Sequence, residues 1–229
     1  MKKIMIAEEY FNTFVARDVI EKYNIENKRA LNYIIKYLIN SSYLTYSRLY
    51  NSMKSCGYEV GKRTVIEYLS YVEKSIFAHF LPIYASVKKQ EQLPRKVYII
   101  DNVFLKFGTE VGYGRLMENL AFIELLRRKS LETSFDLYYF KTREGYEVDF
   151  LIKEGLRVRQ LIQVTHANGF DEIDKREIRG LLKAKELFKE HNPELMIITW
   201  DYEDEREIAW FGKKGRIKFV PLWMWLLEL

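Results

Sequence analysis

From Tyr113 to Trp200 the spacing of apolar residues changes period, and that change constrains the fold more than any other feature of the chain. Leu116, Leu120, Ile123 and Leu126 recur at helical spacing over 113–129. Three extended runs follow, 135–140, 146–152 and 158–165, with Gly145 and Gly155 supplying the turns of a meander. Residues 173–189 have the pattern of an amphipathic helix, and Leu195–Trp200 is an apolar run short enough for a buried strand. Helix, three strands, helix, strand is an α/β core. Small strands are predicted over 208–211 and 217–220, then an apolar helix over 222–229, where Trp223 and Trp225 are expected to be exposed and to need a cover.

The front of the chain is different. Leu31, Ile34, Ile35 and Leu38 predict a short buried helix that ends at Asn40-Ser41-Ser42. Leu49, Tyr50 and Met53 mark a second helix over 45–55, broken by Gly57. Gly61-Lys62-Arg63-Thr64 opens a third, with Val65, Tyr68, Leu69 and Val72 as its apolar stripe. Three helices with a tight glycine-containing connection read as a helix-turn-helix. Strand-like runs 76–83 and 96–101 then flank the basic loop 88–96, which makes the trio a winged helix. The fold expected is an N-terminal winged helix-turn-helix over 1–105, followed by a mixed-sheet α/β domain over 106–229.

Charge follows the same division. Residues 1–105 carry 16 Lys+Arg against 10 Asp+Glu, and the remainder carries 21 against 22. A basic front half is the asymmetry expected of a part that touches a polyanion, against the ordinary alternative that most surface lysines are solvated. Lys62, Arg63 and Thr64 could meet phosphates or base edges from a recognition helix, and Lys88, Lys89, Arg95 and Lys96 form the densest basic cluster. Winged helices also serve as protein-binding modules. One cysteine, Cys56, cannot form an internal disulfide, and three histidines are too few for a structural zinc site. Without eighteen consecutive apolar residues or a signal-peptide core, the expectation is a cytoplasmic protein with no membrane partner.

The chemistry-bearing stretch is Glu147-Val148-Asp149-Phe150, followed after a turn by Gln163-Val164-Thr165. Alternate side chains of a strand share a face, so Glu147 pairs with Asp149 and Gln163 with Thr165. An acidic pair within apolar strands either binds a divalent cation or simply shows its carboxylates to water. The nearest approach to a phosphate-binding loop, Gly57–Arg63, is one residue short and has Arg63 where a magnesium-binding hydroxyl is needed. No ATP binding is expected. His166, next to Asn168-Gly169, is read as the start of a turn, and 201–207 as an exposed acidic loop.

In order, Glu118 on its helix, Glu147-Val148-Asp149-Phe150 and Gln163-Val164-Thr165 resemble the restriction-endonuclease-like PD-(D/E)XK fold. The whole chain is similar to the C-terminal region of prokaryotic, especially archaeal, AAA-type ATPases. The likeness also takes in Tyr10–Val19, Lys96–Asn102 and Asp174-Lys175-Arg176-Glu177. This resemblance implies a Mg²⁺ site with Asp149 as first ligand, Gln163 at the second acidic position and Thr165 at the lysine position. Gln163 brings no charge and Thr165 no ammonium, and removing one electrostatic stabiliser of a transition state commonly costs about 3 kcal/mol. The implied role is a DNA-associated module whose nuclease-like site is degenerate. Glu118 and Glu147 are the residues that could compensate in an active Mg²⁺-dependent nuclease. A protein-binding adaptor, docking on an ATPase core or a second copy of itself, is the third reading.

Overall fold

The computed structural model describes residues 2–131 and 134–227 and divides the chain into two compact units. The first takes residues 1–80 and 92–111, the second 81–91 and 112–229. The boundary expected at 105/106 therefore lies at 111/112, and a segment from the front half groups with the second unit. No helix among the described residues is long and apolar enough to cross a membrane.

The chain begins with α1 (Lys2–Phe14), which continues as a π-helical stretch, Val15–Glu21. Next come α2 (Lys28–Asn40), β1 (Tyr43–Leu44), α3 (Tyr46–Ser55) and α4 (Lys62–Lys74). Local chemistry sets the starts. The Asn27 side chain accepts the Ala30 N–H at 2.9 Å, and Thr45 Oγ1 accepts the Arg48 N–H at 3.2 Å, each satisfying an amide that the helix cannot. Leu31, Ile34, Leu38, Leu49, Met53, Val65, Leu69 and Val72 form the sealed core of this trio, as the 3.6-residue pattern predicts.

Beyond it lie β2 (Ala78–Leu81), α5 (Val87–Gln92), β3 (Arg95–Ile99) and α6 (Asn102–Leu105). The three strands form a sheet in the order β1-β3-β2. Here the expected basic loop is corrected. Residues 87–92 are a one-and-a-half-turn helix that carries Lys88 and Lys89, while Arg95 and Lys96 belong to β3. Lys96 sits in the central strand, opposite Tyr43, and is only 4% exposed. It cannot be part of an exposed basic surface.

The second unit contains α7 (Tyr113–Leu131), β4 (Phe135–Lys141), β5 (Glu147–Glu154) and β6 (Arg157–Val164). After a 3₁₀ turn at Phe170–Glu172 come α8 (Lys175–Leu187), β7 (Glu194–Thr199), β8 (Asp204–Trp210), β9 (Lys213–Pro221) and α9 (Leu222–Leu227). The sheet order is β4-β5-β6-β7-β9-β8. The first three strands are an antiparallel meander, and α8 is the crossover that lets β7 run parallel to β6.

Phe150 of β5 stacks with Phe122 of α7 at 6.3 Å, while Val148, Leu151 and Leu161 pack with Ile178, Leu181 and Ala184 of α8. Phe150 and Leu151 are adjacent and point to opposite faces, so α7 and α8 cover opposite faces of the sheet; a shift in the β4–β5 register between 148 and 151 breaks the alternation and puts Val148 on the same side as Leu151. The acidic loop expected over 201–207 is instead mostly β8, because 204–210 pair residue by residue with β9. Trp223 is 56% exposed, but Trp225 is buried at 2%, which corrects the expectation of two bare tryptophans. The Arg128 guanidinium lies over the Trp225 ring at 4.3 Å and donates to its carbonyl, while Glu124 accepts from both Arg127 and Arg128. Residues Glu228 and Leu229, the end of the expected terminal helix, lie outside the described residues.

Candidate functional site

Three polar side chains are buried at the ends of β5 and β6: Asp149, Gln163 and Thr165, at 5%, 8% and 9% exposure. Register explains the meeting. Phe150 faces Ile162, and one further step along the antiparallel ladder puts Asp149 opposite Gln163. The pair is cross-braced through the backbone: Gln163 Oε1 accepts the Asp149 N–H at 3.3 Å, and Asp149 Oδ2 accepts the Val164 N–H at 2.9 Å. Thr165 is held against β7 by its N–H, which donates to the Ile198 carbonyl at 2.9 Å.

A fourth group arrives from α8. Asp174 caps that helix by accepting the Arg176 N–H at 2.8 Å, which leaves Glu177 in its first turn. Gly180 then lets the helix cross β5 in direct backbone contact, since a Cβ there would lie 2.8 Å from the Glu147 carbonyl oxygen. Residue 177, one turn earlier, is thereby brought beside Asp149 and Thr165. The Glu177 carboxyl is pushed up to about 7, first by burial and then by the Asp149 charge; a hydrogen bond to Thr165 opposes this, and Asp174 and Glu118 add to it. Glu177 Oε2 is buried and makes no hydrogen bond among the described residues.

Of the residues expected at the site, Asp149, Gln163 and Thr165 converge, and Glu118 lies within electrostatic reach of Glu177. Glu147 stands at the half-exposed start of β5, with its carboxylate 3.5 Å from Lys141 Nζ. Glu177 is the member that strand alternation does not reveal. Its signal in the sequence is its place in Asp174-Lys175-Arg176-Glu177, an acidic residue in the first turn of a helix that follows the polar strand.

The donor set does not suit a cation as it stands. Among the described residues, no group of three or more His, Cys, Asp or Glu is arranged to hold a metal ion. Gln163 Oε1 and Asp149 Oδ2 already serve main-chain amides. These side chains do not make a ready ligand set for Mg²⁺.

The basic residues of the first unit present a mixed picture. Lys62 and Arg63 are exposed at the first turn of α4, where Arg63 pairs with Glu67 at 3.3 Å, and Thr64 is half-buried. Arg95 lies over the Tyr46 ring at 5.6 Å. In the second unit Lys88 is exposed, as is Lys89.

Residues 113–224 match a family described as a domain of unknown function, DUF4143. The chain is also 32% identical over 226 residues to an uncharacterized protein, MJ1544, of Methanocaldococcus jannaschii, a match that covers 97% of this chain and 50% of that protein. It spans about half the length of the curated relative it matches. No solved structure matches.

Proposed function

We propose that the chain is a DNA-associated module with a winged helix in front and a restriction-endonuclease-like domain behind, whose nuclease-like site is degenerate. The observation that carries this reading is the convergence of Asp149, Gln163, Thr165 and Glu177 where β5, β6 and α8 meet. In the second unit the order α7-β4-β5-β6-α8-β7, with β7 parallel to β6, is the arrangement the nuclease-like reading requires. In the first, α2-β1-α3-α4-β2-β3 with sheet order β1-β3-β2 supports the winged helix.

The degeneracy is chemical. At the second acidic position stands an amide oxygen already engaged by Asp149 N–H, and at the lysine position stands a hydroxyl. Neither of these two side chains supplies a cation that could oppose charge developing on a phosphodiester. Glu177 adds a carboxyl but shares its surroundings with Asp149, so part of its population is protonated near neutral pH. The relative's greater length is consistent with an attached partner domain, and the proposed partner is the core of an AAA-type ATPase.

The deciding experiment combines duplex-DNA binding across a salt series with plasmid nicking in Mg²⁺ and in EDTA. Salt-sensitive binding without nicking supports the proposal. Mg²⁺-dependent nicking abolished by Asp149→Ala and Glu177→Gln would establish the active nuclease instead, and absence of any DNA affinity would leave the adaptor.

A further inference from the structure

Directly beyond the ends of the parallel strands β6 and β7 lie His166 and Trp200, each the residue after a buried threonine of the sheet. Open α/β sheets place ligands outside the carboxyl ends of their parallel strands. Here that position is occupied by aromatic rings. Tyr113, at the start of α7, stacks on His166 with centroids 5.1 Å apart and planes 19° from parallel. Trp200 tilts against both, at 5.3 Å from His166 and 6.0 Å from Tyr113. These rings are not core. Tyr113 is 64% exposed and Trp200 45%, so the stack has a bare outer face. The glycines on either side of Tyr113, Gly112 and Gly114, have nothing within 4 Å of where a Cβ would stand, which leaves room for a ligand to approach.

Large aromatic rings held exposed beside a buried polar site bind flat, polarisable groups. We infer that Tyr113, His166 and Trp200 form a stacking platform for an unpaired nucleobase at the mouth of the Asp149–Glu177 site, an inference that rests on the nucleic-acid reading proposed above. A base fits better than a phosphate. Glu172 lies within electrostatic reach of His166, and Asp201 follows Trp200 in the chain, so carboxylates near the rings suit a neutral ring better than a bare phosphate. The N–H edges of adenine, cytosine and guanine also suit carboxylate neighbours. Base–aromatic stacking tolerates any sequence, because every base has a π-face, so the preference expected is for unpaired over paired strands. The rival occupant of an aromatic cluster with acidic neighbours is a cationic side chain of a protein partner.

The test uses a short single strand with a central 2-aminopurine, the same strand in duplex, and a short arginine-containing peptide. Anisotropy measures binding, and 2-aminopurine quenching and tryptophan emission report stacking. The expected result is quenching with the single strand but not the duplex, and about tenfold weaker single-strand binding in Tyr113→Ala and in Trp200→Ala. Duplex binding through the first unit should be unchanged in both variants. Because both rings are exposed, the variants should keep the wild-type melting temperature, which is checked alongside. Single-strand binding without quenching, and unaltered in the variants, overturns the platform while leaving the nucleic-acid reading intact. Absence of any oligonucleotide binding overturns both. Emission changes with the peptide alone, abolished in Trp200→Phe, would identify a cation–π cage for a protein and also overturn the platform.

Discussion

Gly180 of α8 faces the backbone of Glu147 so closely that a methyl group would stand 2.8 Å from its carbonyl oxygen. That approach sets the height of α8 above β5, and through it the position of Glu177 relative to Asp149.

Gly180→Ala must push helix and strand apart at a sealed interface containing Leu181, Ala184 and Val148. Alanine's better helix propensity is worth only about 1 kcal/mol, while overpacking costs about 1–3 kcal/mol. A net loss of stability is expected in urea unfolding. The displaced helix should also weaken the coupling between Glu177 and Asp149, seen as a fall in the Glu177 pKa by carboxyl NMR.

Glu177 makes stability depend on pH in a direction opposite to that of a salt-bridged carboxylate. Its folded value, about 7, lies above its ordinary 4.5, so between these limits the folded state binds more protons than the unfolded. Stability therefore falls as pH rises from 4.5 to 7, by an amount on the order of 3 kcal/mol at most. Glu177→Gln should abolish that slope and melt higher than wild type at pH 8, with little difference at pH 4.5. A melting curve that is flat for wild type across this range would refute the assignment.

Among the basic residues, exposure separates two behaviours. Lys62→Ala and Arg63→Ala remove exposed charges at the first turn of α4, and each phosphate left unneutralised should lower the slope of log affinity against log salt by about 1. Lys96→Ala acts on a side chain enclosed in the central strand of the small sheet. It should lower the melting temperature and leave the salt slope of the folded protein unchanged.

Restoring the missing groups tests the degenerate site by gain. Gln163→Glu with Thr165→Lys supplies a second carboxylate and an ammonium where the nuclease-like arrangement calls for them. Plasmid nicking in Mg²⁺ should rise by about a hundredfold over background. An ammonium at position 165 should also draw the neighbouring Glu177 back toward the ordinary carboxylate range. Failure of that shift in carboxyl NMR would show that 165 does not face Glu177.

Those helices and strands that pack one face on a core can be read from periodicity, as with Leu31, Ile34 and Leu38 or Val65, Leu69 and Val72, whereas the short α5 and α6, which lack such a stripe, cannot. Asp149 and Gln163 are legible because strand alternation fixes which residues share a face. Other features are set by tertiary partners. Lys96 looks like a loop residue until β1 and β2 flank its strand, and 204–207 look like an acidic loop until β9 pairs with them. Glu177 enters the site through Gly180, a close approach between elements far apart in sequence that no local pattern records. Trp225 is covered by Arg128 from a helix nearly a hundred residues away.

The segment Leu81–Glu91 belongs to the second unit although it is made before α6 and α7. The Tyr84 N–H donates to the Tyr139 carbonyl at 2.7 Å, and Ile83 bridges Tyr139 in parallel. On the ribosome this stretch emerges before its β4 partner, which follows some fifty residues later. Neither unit can be excised by a single cut, so a fragment beginning at residue 112 starts life without one of its own pieces, and folding of the two units is tied together by the order of synthesis.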